Sequence, residues 1–130
     1  MNGRVISEAA LREKGALELA FIGDCVFELL VRTETLKAPA STNEALHKKT
    51  ASMVNAKAQA GAAKKIMPLL TEDELAVFHR GRNAKLKNAP KGSSPAEYAM
   101  ATALECLFGW LYLSGMEDRL AELFAVCRSE

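Results

Sequence analysis

Two long apolar stretches, one in each half of the chain, set the strongest limit on how this sequence can fold. ALELAFIGDCVFELLVR covers residues 16–32, and a second stretch runs from Ser94 to Ser114 and is closed by Gly115. The first stretch is apolar nearly all round a helical wheel, which predicts a helix buried on most sides. The second begins Ser94-Pro-Ala-Glu97, a capping box with proline at the first helical position. Both stretches therefore predict helices in the interior of a domain.

The segment after the first apolar stretch predicts two more helices. Ser41-Thr-Asn-Glu44 has capping-box spacing and predicts a helix that continues to about Lys49. Residues 50–67 are rich in alanine, which favours a helix ending before Pro68.

The rest of the chain is also helical or irregular. Thr71-Glu-Asp-Glu74 is another capping box and predicts a helix to about Arg80. Residues 81–93 mix Gly, Asn, Pro and Lys, which predicts a mobile basic loop, and residues 116–128 are amphipathic. Since no alternating pattern predicts a strand, the expected fold is all-α, with one domain over residues 1–130.

Composition excludes several classes of protein. No apolar run reaches the ~18 residues that a membrane-spanning helix needs, and the N-terminal segment MNGRVISEAALREKG has no apolar core of the signal-peptide type. The spacing of Cys25, Cys106 and Cys127 fits no zinc motif, so we interpret them as reduced core residues. A cytoplasmic protein without a membrane partner is therefore expected.

The net charge of +1 conceals a strong asymmetry along the chain. Residues 45–96 contain ten Lys or Arg and three acidic residues, a net charge of +7, so the flanking sections together carry −6. Segregation on this scale predicts a face that binds a polyanion such as nucleic acid. The residues of this section that we expect to contact it are His47, Lys48, Lys49, Lys57, Arg80, Arg82, Asn83, Lys85 and Lys87.

Two carboxylates stand inside the apolar stretches. Asp24 lies in the first and Glu105 in the second, although a buried carboxylate is costly unless it is paired or binds a metal. Each could also be a hydrogen-bonded buried acid or a surface position on a wide apolar helix. If the two meet across a helix pair, they form a hard oxygen site for Mg²⁺, which suits phosphodiester hydrolysis.

Four segments resemble the ribonuclease III family. LAFIGDCVFELLVR resembles its signature helix, ATALECLFGWLYLSG resembles its second motif, and LHKKTASMVNAKAQA is similar to its central helix. HRGRNAKLKNAPKG resembles one branch, mini-ribonuclease III, which is a catalytic domain without a double-stranded-RNA-binding domain. The resemblance covers residues 15–115 in the family's order and spacing.

This resemblance implies a function and a fold. It implies a ribonuclease III-type helical endonuclease domain that is homodimeric and cuts double-stranded RNA to 5′-phosphate and 3′-hydroxyl ends. Asp24 and Glu105 match catalytic carboxylates that bind Mg²⁺, for which Mn²⁺ can substitute. Phe21, with Ile22, matches the dimer interface. The implied substrate is a precursor of large-subunit (23S) ribosomal RNA, with a ribosomal protein as a possible helper.

The sequence departs from the family at two positions. Full-length enzymes carry further carboxylates where this chain has Ala20 and Thr102, so the number of metal ions stays open. Glu28 follows Asp24 by one turn and could be recruited, but a pair with Arg32 is the preferred interpretation.

Two other functions stay open. One is a ribonuclease III-like protein without catalysis that binds RNA or the ribosome. The other is an unrelated helical hydrolase of the nucleotide pyrophosphatase type, whose paired acidic ligands this chain would have to draw from Glu72-Asp73-Glu74, where helix capping is the simpler explanation.

Overall fold

A computed structural model describes residues 3–39, 42–84 and 92–129 of the chain. Within these ranges the protein is all-α and contains no strand, which confirms the predicted fold class. The helices are α1 (Glu8–Arg12), α2 (Ala16–Leu36), α3 (Asn43–Met53), α4 (Ala56–Ile66), α5 (Glu72–Arg82), α6 (Pro95–Leu113) and α7 (Glu117–Cys127), with a 3₁₀ turn at Met67–Leu69.

Helix α6 is the centre of the domain, and α2, α4, α5 and α7 all pack against it. Its sequence explains this position because apolar residues cover nearly its whole circumference. Phe108 of α6 packs edge to face on Phe27 of α2, and Phe27 makes the same contact with Phe124 of α7. These three rings join the two long helices to the C-terminal helix in one core.

Two glycines bring the backbones of α2 and α6 into direct contact. A Cβ atom on Gly109 would lie 2.0 Å from the carbonyl oxygen of Leu19, and one on Gly23 would lie 1.6 Å from the carbonyl oxygen of Glu105. No side chain fits at such distances, so both positions require glycine. The contact places Asp24, the residue after Gly23, beside Glu105.

A buried ion pair ties α7 to α5. Arg119 donates through Nε to Glu74 at 2.9 Å and through a terminal nitrogen to the same carboxylate at 2.8 Å, and it also donates to the carbonyl of Leu69. Glu74 also accepts from the backbone N–H of Thr71, which completes the predicted capping box. Arg119 holds the pKa of Glu74 below its ordinary value. This acid therefore has a structural role, as predicted.

The structure corrects several predicted helix boundaries. The sequence analysis placed the boundary between two helices at residues 49 and 50, which is wrong. Helix α3 continues to Met53, the chain turns at Val54, and Asn55 caps α4. Alanine-rich segments propagate helix on both sides of such a turn, so only the amide of Asn55 marks it. The cap of α3 is Thr42 and not Ser41.

Other corrections concern the termini of helices and one cysteine. Helix α5 runs to Arg82, beyond the predicted end, and the short helix α1 was not predicted. Cys106 and Cys127 are buried as expected, but Cys25 is exposed, because one face of α2 lies outside the core. None of the described helices is both long and apolar enough to cross a bilayer.

We predict that Gly109→Ala destabilises the domain by about 2–3 kcal/mol or more, because the added methyl forces the helix backbones apart. Urea denaturation of the variant measures the loss. Gly61→Ala is the matched control, since Gly61 is an exposed glycine of α4 with open space around its Cβ position. This control should gain up to about 1 kcal/mol. Equal midpoints for Gly109→Ala and the wild type would contradict the proposed backbone contact.

Candidate active site

The structure brings the two sequence-predicted carboxylates together. Asp24 projects from α2 and Glu105 from α6, and the two side chains lie close enough for Asp24 to raise the pKa of Glu105. Glu105 is half-buried, as expected for its place in an apolar helix, but Asp24 is exposed. Of the alternatives that the sequence left open, a surface position therefore applies to Asp24, which opens onto a surface hollow together with Phe21, Cys25 and Glu28.

The proximity of these groups has a clear electrostatic effect. Burial is the largest cause that raises the pKa of Glu105, and the adjacent Asp24 carboxylate adds to it by its charge and by hydrogen bonding. Together they raise this pKa from 4.5 to about 8. The amide of Gln59 acts in the opposite direction and favours the charged form. Removing the proton from Glu105 therefore places two like charges side by side, an arrangement that a bound cation stabilises.

Gln59 is a site residue that the sequence analysis did not identify. It lies on α4, only 5% exposed, and it is the polar member of a buried helix face otherwise made of alanine and isoleucine. Its Nε2 has no hydrogen-bond partner among the described residues, although the amide lies close enough to Glu105 to lower the pKa of that carboxyl. The sequence feature that could have indicated Gln59 is a long uncharged polar residue within an alanine-rich helix.

The two positions where the sequence departs from the family contribute no ligand. Ala20 is buried, and the hydroxyl of Thr102 donates to the carbonyl of Tyr98 at 2.9 Å. In the described part of the chain no group of three or more His, Cys, Asp or Glu side chains is placed to hold a metal ion. The candidate ligand set is thus Asp24 and Glu105 alone.

A two-carboxylate set still fits Mg²⁺. This ion commonly binds proteins through one or two carboxylates and completes its shell with water and substrate phosphates. The mutual repulsion at Asp24 and Glu105 and the free amide donor of Gln59 both suit a hydrated cation at this point. Glu28 is engaged elsewhere, since it forms an ion pair with Arg32 at 2.7 Å, as predicted.

The predicted interface residues differ in exposure. Phe21 is 82% exposed, which is unusual for a phenylalanine, and Leu29 is 63% exposed two turns further along α2. Ile22 is half-buried, packs against the core of its own subunit and also lines the hollows beside Phe21. Phe21, Leu17 and Leu29 therefore form an apolar ridge next to Asp24.

The basic residues lie on three helices. His47, Lys48 and Lys49 are exposed on α3, and Lys57 is exposed on α4. Arg82 and Asn83 are exposed at the end of α5. The remaining predicted contacts are Arg80, Lys85 and Lys87.

Arg80 is partly engaged within the protein, because its guanidinium donates to the carbonyl of Lys14 at 2.8 Å. Lys85 and Lys87 lie outside the described residues. Of the predicted contacts, those on α3, Lys57 on α4 and those at the end of α5 therefore remain open to solvent. The part of the predicted loop that carries Lys85 and Lys87 has no structural description.

Comparisons with known proteins identify the relatives of this chain. The Ribonuclease III domain family matches residues 17–116. The chain is 45% identical over 107 residues to the Mini-ribonuclease 3 of Symbiobacterium thermophilum, an alignment that covers 82% of each protein. It is 39% identical to the Mini-ribonuclease 3 of a Thermoanaerobacter species, which covers 94% of this chain and 86% of that protein.

A solved structure gives the same result for the fold. The crystal structure of a Fusobacterium nucleatum protein superposes with a TM-score of 0.84 at 33% identity, covering 90% of this chain and 95% of that one. Sequence, fold and the paired carboxylates therefore lead to one assignment. The chain belongs to the ribonuclease III family, in its mini-ribonuclease III branch, and is an endoribonuclease.

Proposed function

We propose that this protein cuts double-stranded RNA with a divalent metal ion held by Asp24 and Glu105, and that its natural substrate is a precursor of 23S ribosomal RNA. The observation that supports the proposal most directly is the contact between these two carboxylates at the crossing of α2 and α6. The substrate comes from the resemblance to the family, and a ribosomal protein could assist.

Each site residue has a defined part in this proposal. Asp24 and Glu105 would bind Mg²⁺, or Mn²⁺ in its place, and Glu105 must lose its proton to do so. When bound, the ion supplies an activated water and stabilises the leaving oxygen of the phosphodiester. Since Asp24 is exposed, a phosphate of a large RNA duplex can reach the site directly from solvent.

The basic residues would bind the RNA backbone. A duplex RNA is recognised mainly through its phosphates and 2′-hydroxyls, because its deep major groove excludes side chains. The exposed cations Lys48, Lys49, Lys57 and Arg82, with the exposed imidazole of His47, suit such contacts without requiring a particular base sequence. Asn83, Arg80, Lys85 and Lys87 would extend this surface.

The apolar ridge of α2 would form the homodimer interface. A monomer would leave Phe21 and Leu29 in water, which is unfavourable by about 25 cal/mol per Å² of apolar surface. Phe21 stands between two hollows, one lined by Leu17 and Leu113 and the other by Asp24 and Leu29. In a two-fold dimer such a projecting ring can enter the corresponding hollow of the partner.

Variants of the two carboxylates distinguish the proposed nuclease activity from a binding function. Asp24→Asn and Glu105→Gln should each reduce the cleavage rate of a labelled RNA duplex at least 100-fold while binding and folding persist, because each swap removes a charge and keeps the shape. Chelation of divalent metal should have the same effect. Glu34→Gln is the control and should cut normally, because Glu34 lies on the same helix as Asp24 but away from the site. Wild-type cleavage by either site variant would refute the assignment, and an inactive wild-type protein that still binds duplex RNA would favour a binding function.

The dimer can be tested at Phe21. We expect the wild type to sediment as a dimer at micromolar concentration and Phe21→Ser to sediment as a monomer, because the substitution removes the most exposed apolar ring. Leu69→Ser, which changes a leucine that is 50% exposed outside the ridge, should remain dimeric. A monomeric wild type that is fully active would overturn the proposed interface.

Salt dependence tests the RNA surface. Replacing Lys48 and Arg82 together with alanine should weaken duplex binding and reduce the slope of log affinity against log salt by about one to two units, since each phosphate contact contributes ~0.7–0.9. The rate at saturating RNA should change little. Arg12→Ala removes an exposed cation of α1 and serves as the control. An unchanged slope in the double variant would mean that these residues do not contact phosphate.

A further inference from the structure

Gln59 is the one long polar side chain on the buried face of α4. The other buried residues of this helix are Ala60, Ala62, Ala63 and Ile66, which pack the helix into the core. A buried amide donor without a partner costs about 1–3 kcal/mol relative to a satisfied one, so an apolar residue of the same size would pack here at lower cost. The position therefore calls for an explanation other than packing.

The neighbour of this amide supplies one. Gln59 reaches from α4 toward Glu105 on α6, and its Nε2 remains unpartnered among the described residues. A carboxylate that gives one oxygen to a metal still has lone pairs that need donors, and such ligands are usually held by a second hydrogen bond. Asp24 cannot provide that bond once it is itself an ionised ligand, because a carboxylate only accepts.

We propose that Gln59 is a positioning residue for the metal ligand Glu105, and that its Nε2 donates to the Glu105 carboxylate when the metal is bound. This proposal rests on the proposed function, since it takes Glu105 as a ligand. Gln59 itself touches neither metal nor RNA. Its role is to hold the Glu105 carboxylate in the orientation that the ion requires once the ion is bound.

The first test uses Gln59→Met, which keeps the length of the side chain and removes the donor. Calorimetric titration with Mn²⁺ in the absence of RNA should show affinity lowered about tenfold, the lower end of the range for lost outer hydrogen bonds. Without metal, the melting temperature should stay equal or rise, because an unpartnered buried amide has been removed. Thr35→Val, which removes a buried hydroxyl of α2 that is bonded to Val31, should leave Mn²⁺ affinity unchanged.

Cleavage kinetics add a second readout. In Gln59→Met, kcat at low Mg²⁺ should fall while KM for the RNA duplex stays the same, and raising the Mg²⁺ concentration should recover part of the rate. Wild-type Mn²⁺ affinity together with wild-type kcat would overturn the proposal. If Gln59→Met behaves like the wild type while Glu105→Gln is inactive in the same assays, only the proposed role of Gln59 is refuted. If Glu105→Gln binds metal and cuts normally, the proposed function fails first.

The wild-type protein offers a test that depends on no variant. During a Mg²⁺ titration followed by NMR, the side-chain amide signals of Gln59 should shift with the same midpoint as the backbone amide of Asp24. Side-chain amide signals that remain at their starting positions while Asp24 shifts would refute the donation to Glu105, even if Gln59→Met failed to fold.

Discussion

The candidate site depends on the contact between the backbones of α2 and α6. Gly23 and Gly109 allow the two helices to approach until the carbonyls of one lie where side chains of the other would normally be. A larger residue at either position would move the helices apart and would carry Asp24 away from Glu105. The glycines thus determine the spacing of the two carboxylates, although neither has a side chain that could take part in chemistry.

The close spacing of the Asp24 and Glu105 carboxylates is electrostatically unfavourable when both are charged. Without metal, the pKa of Glu105 is about 8 in the folded protein, whereas in the unfolded chain it lies near the ordinary value of 4.5. The folded state binds more protons between these values, so the contribution of Glu105 to stability falls as the pH rises through that window. The least stable state of such a site is the one in which both carboxylates are ionised and no cation is bound, and this state attracts a cation most strongly.

The sequence predicted the helices and the paired carboxylates well, for physical reasons that can be named. Long apolar runs and capping boxes are local signals, and Asp24 and Glu105 were conspicuous because charge is rare in such runs. The turn at Asn55 was missed because alanine favours helix on both sides of it. Gln59 was missed because its meaning comes from a neighbour 46 positions away in the sequence, on another helix. The exposure of Cys25 was also missed, since composition alone does not indicate which face of an apolar helix lies outside the core.

The turn at Val54 and Asn55 separates α3 from α4, so that α3 leans on α2 while α4 packs against α6 and α7. The exposed side chains of His47, Lys48 and Lys49 therefore lie on a helix with few contacts to the core, whereas Gln59 lies on a helix that packs firmly against it. Mutation can alter the outer helix at little cost in stability. Under the proposed function, the choice of RNA can therefore diverge among relatives over evolutionary time while the helices that support the carboxylates stay the same.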